Sequence, residues 1–467
     1  MNSRRKTANL LIITMALALL ASTATARTFY VNSQTGNDTN AGSRTAPWET
    51  IQKAADSMWP GDTAMIAAGD YPERVQITRS GAAGYPIAYQ ASGKVVMNGF
   101  TINASYVWVI GFEITGHIRR PRDNTGIYIQ GGHDEILGNY VHDVCSGGIV
   151  LSGGGNPDSP LTNHNLVKGN RVVHASGPGI AVAGRFNLIE RNDISHTVQY
   201  PPGCPASEGA DADGIDPFFG TGNVIRKNHI HDILSSDPGN LDPHIDCFET
   251  WGPARDITIE QNVCDVNESR FLPVQGAQIE NSSAPVSHIT FRNNVFMNIR
   301  MGVHVEQIGH TPMPSILVLN NTFYRITFYG VLAEGCPGVV IENNVFYDVG
   351  SHRYSYLGLG PGSLVSNVGS YMGPKACPEA GLVVGYNAQS MSDGRPPGRL
   401  GSRAPYSHDL WMINPGFVNA GAKDFRLLPN SPLVGAGVVL KDVPTDIRSI
   451  KRAQSRGYDI GAYEYKR

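Results

Sequence analysis

From about Phe100 the chain repeats one phrase: a short run of alternating apolar and polar residues, an asparagine, then a second alternating run. It reads EILGNYVHDV, LVKGNRVVHA, LIERNDISHT, VIRKNHIHDI, ITIEQNVCDV, ITFRNNVFMN, LVLNNTFYRI and VVIENNVFYDV in turn. The asparagines fall at Asn139, Asn170, Asn192, Asn228, Asn262, Asn294, Asn321 and Asn344, at spacings of 31, 22, 36, 34, 32, 27 and 23 residues. A second phrase, glycine followed by alternating apolar positions, recurs at Gly126, Gly148, Gly179, Gly214, Gly302 and Gly330. Alternation with a period of two marks strands with one buried face. Strands this short cannot bury that face alone, so the repeat predicts coils that stack into a solenoid. The predicted fold is all-β: a parallel β-helix, with asparagines in the left-handed bends between strands and their amides stacked as a ladder.

A different pattern precedes the repeat. A strand over Thr28 to Val31 leads to a helix that starts near Pro47 and ends before Pro60-Gly61, with Ile51, Ala54, Ala55 and Met58 on one face. Short β-runs follow at Thr63 to Ala67, Val75 to Ile77, Pro86 to Tyr89 and Val95 to Met97. Residues 27–99 are therefore expected to form an N-terminal cap with the first coils, 100–350 the repeat coils, and 351–467 the last coils with an irregular C-terminal cap. At the extreme N-terminus, Arg4, Arg5 and Lys6 precede an apolar run from Leu10 to Ala21 and the small-residue triplet Ala24-Thr25-Ala26. That pattern predicts a signal peptide over 1–26, and a mature chain that is secreted, extracellular or periplasmic, and not held by a membrane.

Composition narrows the classes further. The chain has 467 residues, 16% charged, with a formal net charge of −3, so it lacks the basic face that nucleic acid requires. A monomer is expected. In an exported chain, disulfides are permitted. Cys336 and Cys377 lie in Gly/Pro-rich loops and could pair; Cys247 and Cys264 read as buried small apolar residues.

The repeat spacings show where extra residues enter. The longest steps carry TVQYPPGCPASEGADAD before Gly214 and LSSDPGNLDP before His244. Long insertions on neighbouring coils mark a functional rim. Between and beside them, GIDPF at Gly214 is answered by HIDCF at His244. If these phrases are equivalent strands, Asp216, Asp246 and His304 share one outward column and Phe218, Phe248, Glu306 and Glu334 the next, with Arg270 and Gln275 nearby. Neighbouring strands stand roughly 4.8 Å apart, so stacked carboxylates need a cation or a shared proton. Asp211, Asp213, Asp242 and Glu249 lie at the strand ends, and a mostly oxygen donor set suits Ca²⁺ better than zinc.

The cap phrase GNDTNAGSRTAPWETIQKAADSMWPGDT, the asparagine coils and the DFRLLPNSP…DIGAYEY tail together resemble secreted bacterial right-handed β-helix proteins of the pectate-lyase-like superfamily. The resemblance covers nearly the whole mature chain. Within that superfamily, Asp213-Gly214, GTGN at Gly220 and Asp242-Pro-His-Ile-Asp246 resemble the calcium site of family nine polysaccharide lyases. The resemblance implies Asp213, Asp242 and Asp246 as calcium ligands, with Asp216 making up for Pro243, which stands where an aspartate is expected. It also implies a lysine base, but no lysine lies between Lys227 and Lys375.

Three functions compete. The first is a calcium-dependent lyase acting on a uronic-acid polymer, with Arg270, His304 or His244 as base and Phe218, Phe248, Trp251 and Gln275 binding sugar. The second is a glycoside hydrolase using carboxylates such as Asp216, Asp246 and Glu249. The third is a carbohydrate-binding β-helix without activity. The bland alternatives make the aspartates turn caps or ligands of a structural calcium, Glu306 and Glu334 solvated residues, and Phe218 and Phe248 packing beneath the loops. His142, His174, His196, His229 and His231 read as turn residues.

Overall fold

The computed structural model describes residues 26–115, 125–153, 161–197, 204, 212–234, 245–266, 274–281, 285–306, 313–334, 338–349, 357–359, 383–393, 408–452 and 457–466. Expectations for residues 1–25, Asp242, His244, Arg270, Cys336 and Cys377 lie outside them.

The alternating runs become three rows of short strands, each paired in parallel with the coil before and the coil after. Val167 lies between Ile136 and Ile189. On the second row Val172 lies between Val141 and Ile194, and on the third Ile180 lies between Ile149 and Ile215. All of these side chains are fully buried, and they belong to one core that runs from Val31 to Val349. The molecule is a parallel β-helix, as the repeat predicts.

Asparagine holds the coils in register. The side-chain oxygen of Asn170 accepts the backbone N–H of Asn139. The pattern repeats through Asn192, Asn228, Asn262, Asn294, Asn321, Asn344 and Asn387, ending at Asp409, at 2.8–3.0 Å throughout. Each amide NH₂ also donates to a carbonyl of the preceding coil, as Asn228 does to Ile189 at 3.0 Å. The left-handed backbone is one residue earlier than expected, at Gly138, Gly169, Arg191, Lys227, Gln261, Asn293, Asn320 and Asn343, with φ between 53° and 65°. Bending there leaves the asparagine side chain buried under the turn, where its amide reaches the next coil. A second ladder, absent from the repeat phrase, runs from Asp134 through Asn165 and Asn187 to Asn223, at 2.8–3.0 Å.

The N-terminal helix is Ile51–Ser57. Thr50 caps it by accepting the Lys53 N–H, and Glu73 accepts the N–H groups of Ile51 and Gln52. Its apolar residues, with Met58 just beyond its end, are buried, covering the first coil. At the other end, the hairpin Phe417–Asn419 with Asp424–Leu427 and the tail beyond it lie along the turns of the later coils. There the buried Arg452 donates to Asn293 at 2.6 Å and to Glu464 at 3.0 Å, and Asn343 donates to the Val438 carbonyl at 2.7 Å.

Two disulfides lie among the described residues, Cys145–Cys204 and Cys247–Cys264. The second corrects the reading of Cys247 and Cys264 as simple apolar residues. Both are fully buried, and they face each other across the inside of one coil.

Candidate functional site

The site is built on six strands of the third row: β1 (Ile180–Val182), β2 (Ile215–Asp216), β3 (Ile245–Asp246), β4 (Glu249–Thr250), β5 (Val274–Glu280) and β6 (Met301–Glu306). β1 and β2 pair as Ile180 with Ile215 and Ala181 with Asp216. The next coil breaks this simple alignment. Ile215 is bridged to Phe248 rather than to Ile245, and Gly214 donates to the carbonyl of Asp246 at 2.8 Å. The likeness of GIDPF to HIDCF is therefore out of register by three residues.

That shift rearranges the predicted columns. Asp216 stands beside Glu249, which pairs with Gln278 of β5, which pairs with His304 of β6. Asp213 stands beside Asp246, which pairs with Gln275. Asp216 and Asp246 are consequently in different columns, and His304 shares its column with Asp216 and Glu249. The reason is local: Cys247, tied to Cys264, separates β3 from β4, so this coil carries two short strands where its neighbours carry one.

Phe248 is corrected by the same shift. Opposite Ile215 it points inward, is fully buried and packs edge-on against Phe296 at 6.5 Å. It has no face to offer a sugar. Phe218 and Trp251 remain half-buried, with parallel rings 5.8 Å apart, and Phe219 packs edge-on against both. These three rings form the aromatic patch beside the carboxylates; Phe219 was missed because the sequence columns carry only alternate residues.

The carboxylates of Asp213, Asp246 and Glu249 form one cluster, with an oxygen of each within 4.8 Å of the others. Asp213 and Asp246 are fully buried and Glu249 is 5% exposed. Asp213 accepts the Asp246 N–H at 2.5 Å, and Asp246 accepts the Gln275 N–H at 3.1 Å. Burial and mutual repulsion both disfavour three adjacent negative charges, so the group needs a cation or a shared proton. An all-oxygen, all-carboxylate donor set at this spacing fits a hard divalent cation with bonds of about 2.3–2.6 Å. Glu249, expected as a catalytic carboxylate, lies in this cluster, and Asp216 stands next to it in the strand register.

Beyond the cluster, His304 is buried and its Nδ1 lies 3.0 Å from Gln275 Oε1. That oxygen can only accept, so in this contact Nδ1 is the donor. Gln278, which no sequence motif singled out, fills the column between Glu249 and His304. It donates to Glu306 at 3.2 Å and, at 3.5 Å, lies at the limit of hydrogen bonding to Glu280. Glu280 and Glu306 are paired across β5 and β6. Of the histidines read as turn residues, His174 and His196 have left-handed backbone, His174 within the strand Arg171–Ala175, whereas His142, His229 and His231 are on strands without it.

Comparison with known proteins agrees with this architecture. A family model described as a right-handed beta helix region matches residues 125–313, under half of the chain. The chain is 27% identical over 337 residues to a pectate disaccharide-lyase of Dickeya chrysanthemi, covering 69% of this chain and 37% of that protein. It is 29% identical over 207 residues to the uncharacterised Bacillus subtilis protein YwoF, covering 42% and 41%. The chain thus spans about two-fifths of the length of these relatives. Among solved structures, a complex of XylC with xylose superposes with a TM-score of 0.60 at 13% identity, over 93% of this chain and 98% of that one. The continuous core, the asparagine ladder and these matches together make the chain a right-handed parallel β-helix, consistent with a member of the pectate-lyase-like superfamily.

Proposed function

We propose that this protein is a polysaccharide lyase that cleaves a uronic-acid polymer of the pectate class by β-elimination, with Ca²⁺ as cofactor. The observation that carries the reading is the buried cluster of Asp213, Asp246 and Glu249 beside an aromatic patch and a tautomer-held histidine. Asp213, Asp246 and Glu249 would hold the ion, with Asp216 beside them, and the ion would supply charge neutralisation for a sugar carboxylate. Phe218 and Trp251 offer a half-buried ring surface on which a sugar can stack. His304 takes the C5 proton through Nε2, and Gln275 keeps Nδ1 protonated so that this nitrogen stays basic. Arg270 and His244 are rival bases from the sequence; Asp242 is the remaining carboxylate that the resemblance implies as a ligand.

The relative named as a pectate disaccharide-lyase supports the substrate class. The two disulfides support export to an oxidising compartment, as the N-terminal pattern implies.

Incubation with polygalacturonate and alginate, with and without EDTA, tests the proposal. Ultraviolet-absorbing unsaturated product that requires Ca²⁺ is expected. New reducing ends without that absorbance would instead establish hydrolysis, and sugar retention without any product would establish a binding protein. His304→Gln is expected to lower turnover by about 10²–10⁴-fold with little change in KM.

A further inference from the structure

A second group of metal-type ligands sits on a different face, on the strand that follows the ladder asparagine. His229–His231 is a strand whose central Ile230 points into the core, so both imidazoles point outward. The strand register sets His229 directly beside Asp193 of the preceding coil. His229 Nδ1 and His231 Nε2 each lie 3.4 Å from the same oxygen, Asp193 Oδ2. The two rings are stacked, 4.3 Å apart and 19° from parallel.

These separations are long for hydrogen bonds. They match the edge of a tetrahedron around an ion with bonds of about 2.0–2.1 Å, for which donor atoms are about 3.3–3.4 Å apart. The outer nitrogen is also held, as that of His142 is by Asp143. His231 Nδ1 is 2.7 Å from Asp232 Oδ2, a good hydrogen bond that fixes the tautomer and aims Nε2 at Asp193. A carboxylate on the far nitrogen of a histidine is the usual second partner of a metal-bound imidazole.

The paired imidazoles are particular to this coil. The same two columns hold Tyr140 and His142 three coils earlier, Arg171 and Val173 two coils earlier, and Val263 and Asp265 one coil later, so His142 shares the column of His231 without a second imidazole beside it. The group opens onto a cavity of about 360 Å³ lined also by Asp232, Asp265, Lys423 and Tyr463. Lys423 is paired with Asp265, and Arg171 Nε lies 4.0 Å from Asp193 Oδ1.

We propose that Asp193, His229 and His231 form a transition-metal site of the zinc class, with Asp232 orienting His231. A mixed nitrogen and oxygen set of three leaves a position for water or an incoming ligand from the cavity. This site is separate in residues, face and donor chemistry from the carboxylate cluster.

The test uses the full chain, stripped with chelator and titrated calorimetrically with Zn²⁺ in excess Ca²⁺, with Co²⁺ as a visible probe. One Zn²⁺ per chain is expected, unaffected by Asp246→Asn, together with the strong visible bands of four-coordinate Co²⁺. The double variant H229A/H231A is expected to lose both signals. D232N should weaken binding by about 10–100-fold, and H142A, a strand histidine with its own aspartate partner, should change nothing. Circular dichroism and melting confirm that each variant is folded; H229Q replaces the double variant if that one is not. No Zn²⁺ bound by the folded wild type, or equal binding by wild type and a folded H229A/H231A or H229Q, would overturn the site. So would an equal loss in H142A.

Discussion

Two columns of stacked polar side chains run along this β-helix, and they have opposite chemistry. The asparagine ladder places an amide in each coil from Asn139 to Asn387, and each amide both donates and accepts, so stacking satisfies both of its ends. The column of Asp213 and Asp246, with Glu249 and Asp216 beside it, places carboxylates at the same coil spacing. Carboxylates only accept, and they repel one another. An identical stacking geometry is therefore self-sufficient in the first case and needs a cation or a shared proton in the second. The first column holds the coils together, whereas the second is suited to bind.

The sharpest way to break the comparison is to turn one column into the other. Asp246→Asn keeps the acceptor for the Gln275 N–H while removing one charge from the cluster. Lyase turnover is expected to fall by at least about 100-fold, with a raised melting temperature in EDTA because one repelling buried charge is gone. Full activity in this variant would discard the proposed cation site. The converse change, Asn228→Ala, removes an acceptor and two donor contacts from the middle of the ladder. Chemical denaturation should show a loss of roughly 2–4 kcal/mol, while Ca²⁺ affinity of the folded protein stays within a few-fold.

One position mixes the two chemistries. Asp134 occupies the end of the second ladder, where it accepts the Val107 N–H at 2.8 Å. Burial raises its pKa well above the usual carboxylate range, against the lowering effect of that hydrogen bond. The folded state thus holds a proton that the unfolded chain releases. Wild-type stability is complete below the unfolded value and declines as pH rises through the folded one. Asp134→Asn, which makes the ladder uniform, should gain about 1–2 kcal/mol at neutral pH, and the gain should vanish in acid. An equal effect at both pH values would show that charge is not its cause. The smallest effect is expected for Trp251→Ala: a several-fold rise in KM with unchanged stability, measured by initial rates on polymer.

Much of the fold was legible because periodicity is a local property. The asparagine spacing, the Gly-apolar phrase and the helix face at Ile51, Ala54 and Ala55 all correspond to what folds. The site was only partly legible. Asp213, Asp246, Glu249, His304 and Gln275 were singled out and do come together, but in different columns from those predicted. Phe248 was misplaced because its identity suggested a sugar surface while its register made it core. Gln278, Phe219 and Asp193 carried no signal beyond their alternation in a strand, and His229 and His231 were read only as turn residues.

By itself, then, the sequence determined the coil, its period and the polar residue that pins each turn, because stacking repeats the same local choice many times. Register across one irregular coil was decided only in three dimensions. The Cys247–Cys264 link and the break between Ile245–Asp246 and Glu249–Thr250 shift the alignment by three residues, and no pairwise likeness of phrases reports such a shift. Since side chains alternate faces and columns depend on register, that single offset decided which acids meet and which aromatic ring is buried.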